Sequence, residues 1–181
     1  MNDYEQRSDQ DLLSAIAGGD RRAFDALLRR HYDRIHALAW RLTGSRADAD
    51  DVAQDVCCTL AEKIGGFRGD AKFTTWLTGI TYNACRDLYR RRRRFGGFAD
   101  RLKILAGLAP SPDGRDLHDA VWMRHRIARL KPVYRDTVIL VAGEQLSHAE
   151  AAELLGVSES TVAWRMHEAR RLLSAETGKN A

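Results

Sequence analysis

The chain has 181 residues, of which 29 are basic and 25 acidic, giving a net charge of +4. Hydrophobic residues make up 44% and charged residues 30%, the balance of a folded globular protein rather than a fibrous or unstructured one. No apolar run approaches the roughly 18 residues of a membrane span, and the acidic, polar segment Met1–Gln10 has no signal-peptide character, so a cytoplasmic protein with no membrane insertion of its own is expected.

Every element reads as helix. Ser8 caps a short first helix carrying Leu12, Leu13 and Ile16, with Asp11 three residues on and Gly18-Gly19 at its end. Asp20 caps the next, whose apolar positions are Phe24, Leu27, Leu28, Tyr32, Ile35, Leu38, Ala39 and Leu42, spaced by three and four. Thr43-Gly44 stops it. Ser45 opens a third helix with Asp48 at the capping-box position. Val52, Val56, Leu60 and Ile64 recur every four residues there, while Asp48, Asp51 and Asp55 are expected to share another face. After Gly65-Gly66 and the loop from Phe67 to Phe73, a fourth helix carries Trp76, Leu77, Ile80, Ala84 and Leu88 into the block Arg90-Arg91-Arg92-Arg93-Arg94.

The next stretch, with Gly96-Gly97, Gly107, Pro110, Pro112 and Gly114, reads as a linker, with at most a brief helix around 100–108. A second domain starts near Asp119. One helix carries Val121, Ile127 and Leu130, and Pro132 begins another with Val133, Val138, Ile139 and Val141. The expected architecture is all-α: a helical bundle over 1–94, a flexible linker over 95–118 and a second helical domain over 119–181.

The most informative segment follows. Ser147 to Glu150 forms a capping box, Gly156 supplies a tight turn, and Ser158 caps a last helix burying Val162, Met166, Ala169, Leu172 and Leu173. This is the order of a DNA-reading helix-turn-helix, in which the second helix presents its first turns to the major groove. A plain helical hairpin is the competing reading. The arginine block admits two readings as well, a solvated helix end or a phosphate clamp. Beside it lie Phe73, Trp76, Tyr82 and Tyr89, residue types that stack unpaired bases but that also fill cores. Phe67, Asp70 and Asn83 have the right chemistry for a flipped-base pocket, though periodicity alone does not bring them together.

These residues resemble the bacterial RNA polymerase sigma factors of the extracytoplasmic-function (ECF) group of the sigma-70 family. The likeness runs from Asp11 to about Leu173 in four stretches: Ala23-Phe24 through Gly44; Asp48 through Val56; Phe67-Arg68-Gly69-Asp70 through Asn83, Asp87 and the arginines; and Leu146-Ser147 through Leu172. The resemblance implies sigma domains two and four on a tether. It places Asp48, Asp51, Gln54 and Asp55 on the helix that binds the clamp helices of the polymerase largest subunit, where negative charge suits a basic partner. It assigns recognition and melting of the −10 element to Phe67, Asp70, Ala71, Lys72, Trp76, Asn83, Arg86, Arg90, Arg91, Arg92 and Arg93. It assigns the −35 element to Ser158, Ser160, Thr161, Trp164, Arg165, His167 and Arg171. Further partners it implies are the flap of the second-largest subunit and an anti-sigma factor; it implies no cofactor. Ala163 and Trp164 depart from the basic or small polar residues the family often carries there, Glu168 stands at an often basic position, and Cys57-Cys58 replaces bulkier residues.

Two other function classes are weighed against it. A two-domain helix-turn-helix regulator leaves the acidic helix and the loop with Asn83 unexplained, and a sigma mimic is expected to lack the basic DNA surface. An enzyme is not expected: there is no Gly-rich phosphate loop, no metal-ligand spacing and no nucleophile–base pairing above chance. Cys57, Cys58 and Cys85 are odd in number and two are adjacent, so free thiols are expected rather than a disulfide framework.

Overall fold

The computed structural model describes residues 3–95 and 126–177, and among them every regular element is helical. The chain divides into two units, Met1–Gly107 and Leu108–Ala181. The expected linker over 95–118, the brief helix within it and the start of the second domain at Asp119 lie, but for Phe95, outside the described residues.

The first unit holds α1 (Asp3–Gln6), α2 (Asp9–Ala17), α3 (Arg21–Thr43), α4 (Arg46–Lys63), a 3-10 turn (Ile64–Gly66) and α5 (Phe73–Phe95). α3 is its axis, packed against α2, α4 and α5. The boundaries follow their signals. Ser8 and Asp11 form a reciprocal capping box on α2, Asp20 accepts from the N–H groups of Arg22 and Ala23, and Gly44 ends α3 at φ +69°. Ser45 accepts from the N–H of Asp48, but the carboxylate of Asp48 does not return to the cap. It goes elsewhere, as described below.

The buried stripe follows expectation on the second half of α3 and on α4, and is shifted by about one residue at the start of α3 and along α5. On α3 the core takes Ala23, Leu27, His31, Ile35, Leu38, Ala39 and Leu42, leaving Phe24 and Leu28 half-buried and Tyr32 exposed. His31 is drawn inward because Asp9 on α2 meets its Nε2 at 2.8 Å and Phe73 lies edge-on to its ring at 5.2 Å. On α5 the core takes Phe73, Leu77, Thr78, Thr81, Tyr82 and Cys85, so Trp76, Ile80, Ala84 and Leu88 form a half-buried margin. The stripe on α4 is as expected, Val52, Val56, Leu60 and then Ile64. α1 is an unexpected addition. Its Tyr4 hydroxyl donates to Asp20 at 2.9 Å, and Arg30 of α3 bonds the carbonyls of Tyr4, Glu5 and Arg7.

The second unit holds a helical stretch at 126–129, α6 (Pro132–Val138), α7 (His148–Leu155) and α8 (Glu159–Thr177). α6 continues into a π-helical turn, Ile139–Gly143, that the apolar pattern did not foretell. α8 packs on both α6 and α7. Val138, Met166 and Ala169 are the centre of one cluster, flanked by Ile127, Leu130, Tyr134 and Val141. The α7–α8 corner is built as the sequence predicts. Ser147 and Glu150 make a reciprocal capping box, Gly156 turns the chain at φ +67°, and the Ser158 hydroxyl accepts from the N–H of Thr161 at 3.2 Å. Leu172 and Leu173, expected in the core, are half-buried, as is Val157.

A Cβ at Gly156 would meet nothing within 4 Å, so its requirement is purely the left-handed backbone. Gly156→Ala should lower stability by about 1 kcal/mol, read by urea denaturation. Gly65→Ala, where neither φ nor space objects, should not.

Candidate nucleic-acid interface

The four residues of α4 expected to bind polymerase, three acids and Gln54, do not share one fate. Asp51, Gln54 and Asp55 are exposed. Asp48 is only 4% exposed, and its carboxylate accepts a charge-assisted hydrogen bond from Arg92 of α5. Asp48 is therefore removed from the outward acidic face: spacing set its angle on the helix, but α5 covers it. Arg92 is correspondingly drawn away from the rest of the arginine block. Tyr89, one turn earlier, donates its hydroxyl to the carbonyls of Leu42 and Thr43 at 2.9 and 3.3 Å. Together these two side chains fasten the far end of α5 to the corner between α3 and α4.

The remaining described arginines are loosely held. Arg91 lies 3.8 Å from Asp55 and Arg90 lies 3.6 Å from Asp87, in pairs whose members are all more than half exposed. Such pairs contribute little and yield readily to a better partner. Arg86 is exposed on the same end of the helix.

At the other end of α5 the loop and helix make an aromatic cluster. Phe67 stands 5.1 Å from Trp76 and 5.7 Å from Phe73, and Phe73 stands 5.9 Å from Trp76, measured between ring centroids. Phe73 is the buried floor at 6% exposure, and Phe67 and Trp76 are the half-buried upper layer. Gly69, at φ +78°, turns the loop so that Asp70, Ala71 and Lys72 stand exposed beside this layer. Trp76, Ile80, Asn83 and Asp87 follow at spacings of four, three and four, one stripe along α5. Asn83 is exposed about 10 Å along the axis from Trp76. Phe67 and Trp76 are thus brought into contact, and Asn83 continues their face rather than touching them.

On α8 the outward side mixes small polar, aromatic and charged residues, among them exposed Arg170 and Arg171. Ser160, Ala163, Trp164 and His167 are exposed, and Thr161 is half-buried. The hydroxyls of Ser160 and Thr161 are each within 2.9 Å of the Ser158 hydroxyl. Arg171 is not free to meet DNA without first leaving Glu168, which it grips with two bonds of 2.9 and 2.6 Å. That guanidinium holds the Glu168 carboxyl below its usual range. Arg165 is half-buried, near enough to Asp136 to act on it. Burial pushes the Asp136 carboxyl up, and Arg135 and then Arg165 pull it back down. A residue that sequence reasoning missed is Tyr134, whose ring lies 5.9 Å from that of Trp164. No periodic signal links them, because they sit on different helices.

Two family models match the chain, "Sigma-70 region 2" over residues 27–95 and "Sigma-70, region 4" over residues 120–173. The ECF RNA polymerase sigma factor SigM of Mycobacterium tuberculosis is 36% identical over 174 residues, covering 96% of this chain and 86% of that protein. This chain belongs to the ECF group of the sigma-70 family. SigE of Mycolicibacterium smegmatis, also an ECF sigma factor, is 30% identical over 99% of this chain and 76% of its own length. Among solved structures, that of CnrH in complex with the cytosolic domain of CnrY matches with a TM-score of 0.67 and 29% identity, covering 96% of this chain and 99% of that one. CnrH is a sigma factor of Cupriavidus metallidurans.

As an ECF sigma factor the chain binds core RNA polymerase and promoter DNA to start transcription. Region 2 spans α3 to α5, so the acids of α4, the aromatic cluster and the arginines all lie within that match. Region 4 contains the α7–α8 corner. No helix among the described residues is long and apolar enough to cross a membrane. Of the thiols, Cys85 is buried, Cys57 half-buried and Cys58 exposed; burial, and then Cys58, push the Cys57 thiol up, which is the opposite of activation.

The arginines should separate in experiment. Arg92→Ala should cost about 2 kcal/mol of stability, the usual value of a charge-assisted bond to a buried group, in urea denaturation. Arg90→Ala and Arg91→Ala should leave stability within about 0.5 kcal/mol while each lowers the log–log salt slope of promoter-fork binding by the holoenzyme by about 0.7 to 0.9.

Proposed function

We propose that this sigma factor divides its work among three surfaces. Asp51, Gln54 and Asp55 on α4 bind the clamp helices of the polymerase largest subunit. The carboxylates are outward and only weakly paired, which suits a basic partner that must displace solvent and little else. The loop from Phe67 to Lys72, with Trp76 and Asn83, receives a base extruded from the −10 element. Phe67 and Trp76 offer it an aromatic wall, and Asp70 and Asn83 offer polar groups for its edge. Arg86, Arg90, Arg91 and Arg93 hold the strand phosphates. Melting needs no bond chemistry: a base that leaves the stack gains an aromatic contact and hydrogen bonds, and this binding offsets the lost pairing. The protein is accordingly an initiation factor and not an enzyme, acting in the cytoplasm where the polymerase is.

α8 reads the −35 element from the side bearing Ser160, Thr161, Trp164 and His167, and the flap of the second-largest subunit meets the same domain. An anti-sigma factor holds the protein inactive by covering the polymerase-binding faces. The likeness to CnrH caught with the cytosolic domain of CnrY supports that mode of control. The observation that carries the reading as a whole is the aromatic layer of Phe67 and Trp76 at one end of α5, with the weakly held arginines at its other end. A regulator of duplex DNA has no use for it.

The test is run-off transcription by purified core polymerase on fragments of the source genome. Defined transcripts should require the protein and fall at least tenfold with the triple variant Asp51→Ala, Gln54→Ala, Asp55→Ala, while its fold, read by circular dichroism, stays intact. Promoter-independent transcripts, or full activity of that variant, would contradict the assignment of α4. Duplex binding without any transcript would point to the plain helix-turn-helix regulator.

A further inference from the structure

The two arginines expected to serve the −35 element both have acidic neighbours within their own domain. Arg171 is clasped by Glu168 and Arg165 is half-buried toward Asp136. Residues exposed on α8 besides Arg171 include Ser160, Ala163, Trp164, His167 and Arg170, and of these Trp164 alone is large and apolar. Trp164 is the most exposed large apolar residue of the described chain, at 57%. Single exposed apolar residues are common and need no explanation by themselves. This one differs in position and in support. It lies on the second turn of the recognition helix, where side chains enter the major groove. Its ring leans on Tyr134 at 5.9 Å, tilted by 58°, so one side is braced by α6 and the other faces out. A braced ring loses little freedom on binding, which favours contact over a floppy side chain.

In the major groove the one apolar feature is the 5-methyl group of thymine. We infer that Trp164, positioned by Tyr134, reads a thymine methyl in the −35 element, with Ala163 flanking it. An indole has no acceptor, and its N–H is a single donor at the ring's edge. A face built of Ala and Trp therefore discriminates by methyl contact rather than by the forked hydrogen bonds that an arginine makes to guanine. The inference rests on the proposal that α8 reads the −35 element, and deepens it.

The experiment uses holoenzyme made from core polymerase and the full chain. Promoters are first selected from a pool randomised across the −35 region, and one winner is then remade with deoxyuridine for thymine at each −35 position, which removes only the methyl. The expected result is an A·T pair enriched at one position whose uracil form is bound about fourfold less well, the worth of one buried methyl-sized group. Trp164→Ala should bind the thymine and uracil forms equally and lose the enrichment; Trp164→Phe should restore part of it. Tyr134→Ala should weaken the preference without abolishing it.

Equal binding of both forms by the wild type would overturn the inference. So would a thymine preference that survives Trp164→Ala, since the methyl is then read elsewhere. A loss of initiation in Trp164→Ala that is equal on both forms would assign Trp164 to a protein contact, and would also overturn it. If the selection enriches nothing, and a scrambled −35 region serves as well as an intact one, then the −35 assignment of α8 has itself failed.

Discussion

The bond between Asp48 and Arg92 is the constraint on which the arrangement of the first unit depends. A carboxylate buried under α5 is tolerable only with a cation on it, because an unpaired charge there has lost its water. Arg92 supplies that cation from a residue 44 positions later, and Tyr89 fixes the same end of α5 to the carbonyls that close α3. The helix that carries the arginines is therefore held against the helix that carries the acids. The acids of α4 and the arginines of α5, proposed to meet polymerase and DNA, are kept at a fixed angle to one another through packing and two polar anchors.

That constraint also explains why five adjacent arginines are not equivalent. Helix geometry gives successive residues a turn of about 100°, so a run of five covers the whole circumference. Among the described members, Arg92 is the one that reaches the buried carboxylate of α4. Arg90 and Arg91 look toward solvent and touch only exposed carboxylates. Sequence alone reports the charge density of the block; the three-dimensional partner decides which charges are spent. The same holds on α8, where Glu168 engages Arg171 while Arg170, Ser160, Trp164 and His167 stay exposed.

Much of the fold was legible because its signals are local. The capping boxes at Ser8 and Ser147, the glycine turns at Gly44 and Gly156 and the apolar repeat of α4 each declare themselves within a few residues. What was not legible depended on distant partners. Asp48 shares a helix face with Asp51 and Asp55, and nothing near it in sequence tells that α5 lies over it. His31 enters the core because Asp9 and Phe73 receive it, which no periodicity of α3 foretells. The π turn after Val138 adds a residue per turn without any proline or glycine pair to announce it. At the candidate site, Phe67, Trp76 and Asn83 were legible as types, and the resemblance grouped them. The contact of Phe67 with Trp76, and the bracing of Trp164 by Tyr134, needed the structure.

The central claim is that one small bundle turns α4 toward protein and the margin of α5 toward DNA. Its most direct test is site-specific photocrosslinking in the holoenzyme–promoter complex, with a benzophenone amino acid replacing either Gln54 or Asn83, both exposed. The account predicts that position 54 crosslinks to the largest polymerase subunit and position 83 to promoter DNA within the −10 element. Crosslinks to DNA from position 54, or to polymerase alone from position 83, would contradict it.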